Sequence, residues 1–137
     1  MSYLIDTHVL SELRRKLPDP AVLRWFSQRP AGTLYLSVLT LGEIRKGVEA
    51  LADRPRRLAL LDWLETELPA YFAGRILPVD AAVADCWGRL VAQAARPLPA
   101  IDSLLAATAA QHGLILVTRN LRDTQGLGVQ VVNPWDA

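Results

Sequence analysis

Five short apolar runs, separated by longer segments whose apolar residues recur every three or four positions, restrict this chain more than any other feature. The runs are Tyr3 to Ile5, Leu34 to Leu36, Ile76 to Val79, Leu114 to Val117 and Val129 to Val132. Each is apolar for nearly its whole length, the pattern of strands covered on both faces of a parallel sheet. Between them Leu41, Ile44, Val48 and Leu51 form one helical stripe, and Leu58, Leu61, Leu64 and Leu68 another. Val83, Trp87, Leu90 and Ala94 make a third, and Ile101, Leu104, Leu105 and Thr108 a fourth. Such stripes face a core. Pro30-Ala31-Gly32, Arg54-Pro55, Arg96-Pro97-Leu98-Pro99 and Gly126-Leu127-Gly128 punctuate them as turns. With no internal repeat or long linker, the order predicts a single α/β domain over residues 1–137. A central parallel sheet of about five strands should carry helices on both faces.

Composition narrows the functional classes. Hydrophobic residues make up 51% and charged residues 21%, which argues against disorder. No apolar run approaches the roughly 20 residues of a membrane span, and no secretory signal pattern opens the chain. The single cysteine, Cys86, cannot form an internal disulfide and fits a reducing cytoplasm. Net charge is only +1, so the molecule is not a polycation that coats nucleic acid. Contacts of that kind would come from local groups such as Arg14-Arg15-Lys16, Arg45-Lys46 or Arg119 and Arg122.

Acids stand where an open parallel sheet places its chemistry, beyond the strand ends. Asp6 follows the first run; its plainer role is to cap the next helix, although Thr7 is equally able to do that. Glu43 sits too far into its helix to cap, on the flank that carries Gly47. Gly42 and Gly47 each cost the helix roughly 1 kcal/mol, which predicts close approach of another group. Asp102 opens the helix Ile101 to His112, as an N-cap, a complement to the macrodipole or a site acid. Small residues after it let that helix approach the sheet. Asp123 is either a surface ion-pair partner of the nearby arginines or a site acid, and Asn120 competes for that corner with its carbonyl oxygen. Asp80 reads as the N-cap of a helix from Ala81 to Ala95.

Two carboxylates about 4 Å apart repel by roughly 4 kcal/mol at an effective dielectric near 20. A converging set therefore calls for a cation. Oxygen donors without a cysteine or histidine cluster suit Mg²⁺ or Mn²⁺ rather than zinc, and such an ion can activate water against a phosphodiester. His8 and His112 are the only histidines, and with Cys86 they fit no zinc spacing. A P-loop and a nucleophile elbow are both missing. The tryptophans read as structural or interfacial. A receiver-like regulatory module would need paired acids after the first strand and a late lysine, where this chain has Asp6-Thr7 and Thr118-Arg119.

Taken together these segments resemble the PIN-domain ribonucleases, specifically VapC-type toxins of type II toxin–antitoxin pairs in the FitB-like branch. The resemblance runs through Tyr3-Leu4-Ile5-Asp6-Thr7-His8-Val9-Leu10-Ser11-Glu12 and Tyr35-Leu36-Ser37-Val38-Leu39-Thr40-Leu41-Gly42-Glu43-Ile44-Arg45-Lys46-Gly47. It continues in Phe72 to Asp80, Ile101 to Ala109, Leu116-Val117-Thr118-Arg119-Asn120 and the ending Val132-Asn133-Pro134-Trp135. It implies a PIN fold and an Mg²⁺- or Mn²⁺-dependent endoribonuclease. Asp6, Glu43 and Asp102 match the three invariant acids. The fourth role falls to Asp123, because Asn120 stands where many members carry Asp. The four acids, Asp6, Asp102, Glu43 and Asp123, would make the metal site: Asp6 and Asp102 would hold one ion, Glu43 would position or deprotonate the attacking water, and Asp123 would complete the pocket or assist a second metal. Thr118, and Thr7 or Ser37, would support it by hydrogen bonding, while Arg119 or Arg45 would steer the RNA. The resemblance also implies a homodimer, a VapB-like cognate antitoxin and operator DNA bound only through that antitoxin. The rival expectation is a PIN-fold binding module without nuclease activity.

Overall fold

The computed structural model describes residues 1–136; Ala137 lies outside the described residues. Strand β1 (Tyr3–Ile5) leads into α1 (Thr7–Glu12) and α2 (Pro20–Ser27), then β2 (Leu34–Ser37) and α3 (Val38–Glu49). Helix α4 (Arg54–Asp62) runs through a π-turn (Trp63–Glu67) into α5 (Leu68–Tyr71). Strand β3 (Ile76–Leu77), α6 (Ala81–Ala94), α7 (Ala100–His112), β4 (Ile115–Val117), α8 (Leu121–Thr124) and β5 (Val131–Val132) complete the order. The sheet has five strands in the order β3-β2-β1-β4-β5, all parallel.

Alternation along each strand divides the core. Ile5, Leu34, Leu36 and Val117 face one layer, where Val9, Leu10, Val22, Trp25, Ile44, Val48 and Phe72 pack on them. Leu4 and Leu116 face the other, where Leu105, Ala106 and Ala109 of α7 lie flat on the sheet. Helices therefore cover both faces, as the uniformly apolar strands require. Ala106, Ala107 and Ala109 are fully buried, so α7 sits close to the sheet, as its small residues predict.

Several expected element ends move for local reasons. Strand β3 stops at Leu77, because Pro78 has no N–H to continue the ladder beyond the Ser37–Leu77 pair. Strand β4 starts at Ile115, since the Leu114 N–H is spent on the Ala109 carbonyl, where Gly113 (φ 65°) closes α7 in the left-handed region. The stripe expected from Leu58 to Leu68 holds only in its later half: Leu64 and Leu68 are buried while Leu58 is 55% exposed. The π-turn between them shifts the face of the helix, and Pro69, which cannot donate to Glu65, stands at its end. Among the described residues no helix is long and apolar enough to cross a membrane.

Candidate active site

Chain β1 bonds to β2 on one side and to β4 on the other, so the sheet order switches direction at β1. Crevices beyond the C-terminal ends of strands at such a switch point are where open α/β sheets bind ligands. Asp6 ends β1 and Thr118 follows β4 at this edge. Helix α3 leaves β2 here, carrying Glu43. Helix α7 returns towards the start of β4, which leaves its own N-terminal turn, with Asp102, at the same edge.

Asp6 occupies the N-cap position of α1, yet its side chain makes no capping bond. The helix is closed by the Asp6 backbone carbonyl, which accepts from the Val9 and Leu10 N–H groups at 3.1 Å. The carboxylate instead accepts from the Thr118 hydroxyl at 2.7 Å and is only 4% exposed. Glu43 is half-buried and accepts from the Thr7 hydroxyl at 2.5 Å, which also lies 3.1 Å from the Thr40 hydroxyl. Asp102 is the third residue of α7, whose N-cap is Pro99, so the capping role does not hold for it. Asp123 pairs with no arginine among the described residues. Its carboxylate accepts from the Asn120 amide at 2.5 Å.

The four acids share one electrostatic environment. Burial, followed by the charges of Asp6, Asp123 and Glu43, raises the Asp102 carboxyl above its ordinary value, and His8 pulls the other way. No Lys or Arg among the described residues forms an ion pair with any of them. Uncompensated carboxylates held together in this way are unfavourable without a cation.

Three expectations need correction. Gly42 and Gly47 do not mark close approach within this chain, because a Cβ at either would meet nothing within 4 Å. Ser37 does not reach the pocket; its hydroxyl caps α3 by accepting from the Leu39 N–H at 3.0 Å. Arg45 is held by Glu49 and Glu65 at 3.5 and 3.3 Å, so its charge is spent on a surface network. Asp80 does cap α6, accepting from the Val83 N–H at 2.9 Å.

Among the described residues no three His, Cys, Asp or Glu side chains close tightly enough to grip one ion together. The threonine hydroxyls and the Asn120 amide lie against the acids and engage their oxygens. What does exist is a cavity of about 10 Å³ lined on its polar side by Asp6, Asp102, Thr118 and Asn120. That is room for about one water-sized occupant. Two carboxylates and a threonine hydroxyl at a small cavity fit Mg²⁺ or Mn²⁺, which keeps several waters and takes only one or two protein carboxylates.

Beside this cavity, and sharing Asp6 and Asn120 with it, runs an open groove of about 560 Å³. His8, Ser11, Glu12, Arg15, Arg119 and Trp135 also line it. Arg119 lies over the Trp135 ring at 4.5 Å, which fixes a cation on the wall. Glu12, 5% exposed, is a residue that the motif alone did not single out. It accepts from the Asp19 N–H at 2.9 Å and holds Arg15 at 3.2 Å. Its spacing of three from the core residue Val9 is the signal that places it on the inward face.

Comparison with known proteins places the fold. The PIN domain model matches residues 3–124. The chain is 37% identical over 136 residues to the VapC ribonuclease Y4jK of Sinorhizobium fredii, covering 97% of each. It is 36% identical over 135 residues to toxin FitB of Neisseria gonorrhoeae, covering 96% of this chain and 97% of that one. A solved structure of FitAB bound to an IR36 DNA fragment superposes with a TM-score of 0.90 at 34% identity, over 97% of this chain and 95% of that one. The chain belongs to the PIN domain family, in the branch that includes these VapC and FitB relatives.

Proposed function

We propose that this chain is a divalent-metal-dependent endoribonuclease and the toxin of a type II toxin–antitoxin pair. The observation that carries the reading is the convergence of Asp6, Glu43, Asp102 and Asp123 on one sheet edge, where no Lys or Arg among the described residues pairs with them. The raised Asp102 carboxyl records that convergence. Its kinship with a VapC ribonuclease and a FitB toxin supports the same activity.

Asp6 and Asp102 are the residues that would hold Mg²⁺ or Mn²⁺, and Asp123 completes the acidic wall. Such an ion supplies charge neutralisation at the phosphate and a lowered water pKa. Glu43, fixed by Thr7, is the base that orients or deprotonates the attacking water. Thr118 holds the Asp6 carboxylate in place. Arg119 on the groove wall, held over the Trp135 ring, neutralises the phosphates that flank the cut. Phosphate contacts of this kind position a strand without reading its sequence.

The same reading extends to the partners. Residues 1–137 act as one PIN domain in a cytoplasmic homodimer, held inactive by a VapB-like cognate antitoxin. Operator DNA is met only through that antitoxin; that a FitAB complex has been solved bound to a DNA fragment supports DNA as a ligand of the assembled pair. A panel of structured RNAs incubated with Mg²⁺ or Mn²⁺ tests the activity. Cleavage by the wild type should vanish with EDTA and fall at least about 100-fold in Asp6→Asn, the scale of an electrostatic group lost from a transition state. Full cleavage by Asp6→Asn would sink the site assignment, and cleavage that survives EDTA would sink the metal dependence.

A further inference from the structure

Asn120 follows Thr118 and Arg119 just beyond β4, and its contacts reach three of the site acids. Its Nδ2 donates to Asp123 at 2.5 Å and to Asp102 at 3.4 Å. Its Oδ1 accepts from the Asp123 N–H at 3.4 Å, which turns the nitrogen, not the oxygen, towards the carboxylates. Its backbone N–H donates to the Thr118 hydroxyl at 3.0 Å, and that hydroxyl donates to Asp6. One neutral residue is thus bonded to two site acids directly and to a third through Thr118.

We propose that Asn120 is a positioning residue, a neutral amide bridge that holds Asp102 and Asp123 together and ties them to Asp6 through Thr118. The chemistry requires an amide. Asn offers two N–H donors on one nitrogen, one for each carboxylate, whereas an ionised Asp offers acceptors only. Asp at 120 would replace both contacts with repulsion and add a negative charge to a pocket whose acids pair with no Lys or Arg among the described residues. The same side chain also caps α8 by accepting from Asp123. That second role separates cleanly, because Asp and Ser cap a helix about as well as Asn. The bridge therefore predicts that Asn120→Asp fails to substitute, while a mere cap predicts that it succeeds.

This inference builds on the acidic-pocket reading above, and the test keeps the two apart. Asn120→Asp and Asn120→Ser are melted in EDTA and again with Mn²⁺, with near-ultraviolet circular dichroism to confirm that each is folded. In EDTA both should melt at least about 3 °C below the wild type, Asn120→Asp lowest, a shift of the size expected for one lost buried contact in a domain this long. High salt should narrow the Asn120→Asp deficit more than the Asn120→Ser deficit. Mn²⁺ should raise the melting temperature of Asn120→Asp more than that of the wild type, since the cation then relieves more repulsion. An Asn120→Asp protein that melts in EDTA at or above the wild type overturns the bridge and leaves only the cap. Absence of any Mn²⁺ response in the wild type would instead count against the metal reading, while the EDTA series still decides the bridge.

Discussion

At the scale of single residues, Asp102 exposes the tension in the pocket. Its carboxyl is raised by burial and by its acidic neighbours, so the folded chain holds that proton more tightly than the unfolded chain does. Between the two pKa values the folded state carries the extra proton, and stability falls as pH rises through that window. Above the folded value the full cost is present. In EDTA, Asp102→Asn should therefore melt higher than the wild type at neutral pH. The advantage should shrink as pH is lowered through the carboxylate range, where the wild-type Asp102 takes up its proton and the two chains become alike in charge at this position. Thermal melts across that range check it; an Asp102→Asn protein that is less stable than the wild type at neutral pH contradicts it. Asp6 and Asp102 were legible in the sequence because one follows an apolar run and the other opens a helix, while Glu43 and Asp123 needed the resemblance to be assigned to the site. Of their partners, Thr118 and Thr7 were expected from the resemblance, and the rest were not legible. Thr40 beside Thr7, Glu12 on the inward face of α1 and the donor side of Asn120 depend on which way a side chain turns, and local pattern does not carry that.

At the scale of elements, caps separate structural acids from site acids. Asp80 and Asp6 both stand at helix N-caps after a strand, and nothing in their local sequence tells them apart. Asp80 bonds to its own helix, while Asp6 leaves that work to its backbone and turns to Thr118. Asp80→Ala should therefore cost about 1 kcal/mol of stability, read as a lower urea midpoint, and should leave RNA cleavage intact. Loss of cleavage with unchanged stability would mean that the two acids have been assigned the wrong way round. Strand and helix existence was legible from periodicity. Where ends moved, a backbone event moved them: Pro78 withholding a donor, Leu114 closing α7, Pro69 at the end of the π-turn. The amphipathic stripe from Leu58 reads through that turn as though the helix were regular, which is why Leu58 falls outside the core.

At the scale of the molecule, topology does what no segment does alone. Residues from β1, α3, α7 and α8, far apart in the chain, reach one edge because every strand runs parallel and the order reverses at β1. The set of acids was readable from the sequence, but their meeting at the β1–β4 crevice needed the strand order. The central claim is that Asp6 and Asp102 flank a cavity for one hard divalent cation. Crystals grown with Mn²⁺, with data collected at the manganese absorption edge, test it most directly. The account predicts an anomalous peak at the cavity between Asp6, Asp102, Thr118 and Asn120, within about 2.5 Å of a carboxylate oxygen or one water further away. Loss of that peak in Asp6→Asn would confirm the ligand. A fully occupied Mn²⁺ peak elsewhere, with this cavity empty, would contradict the account.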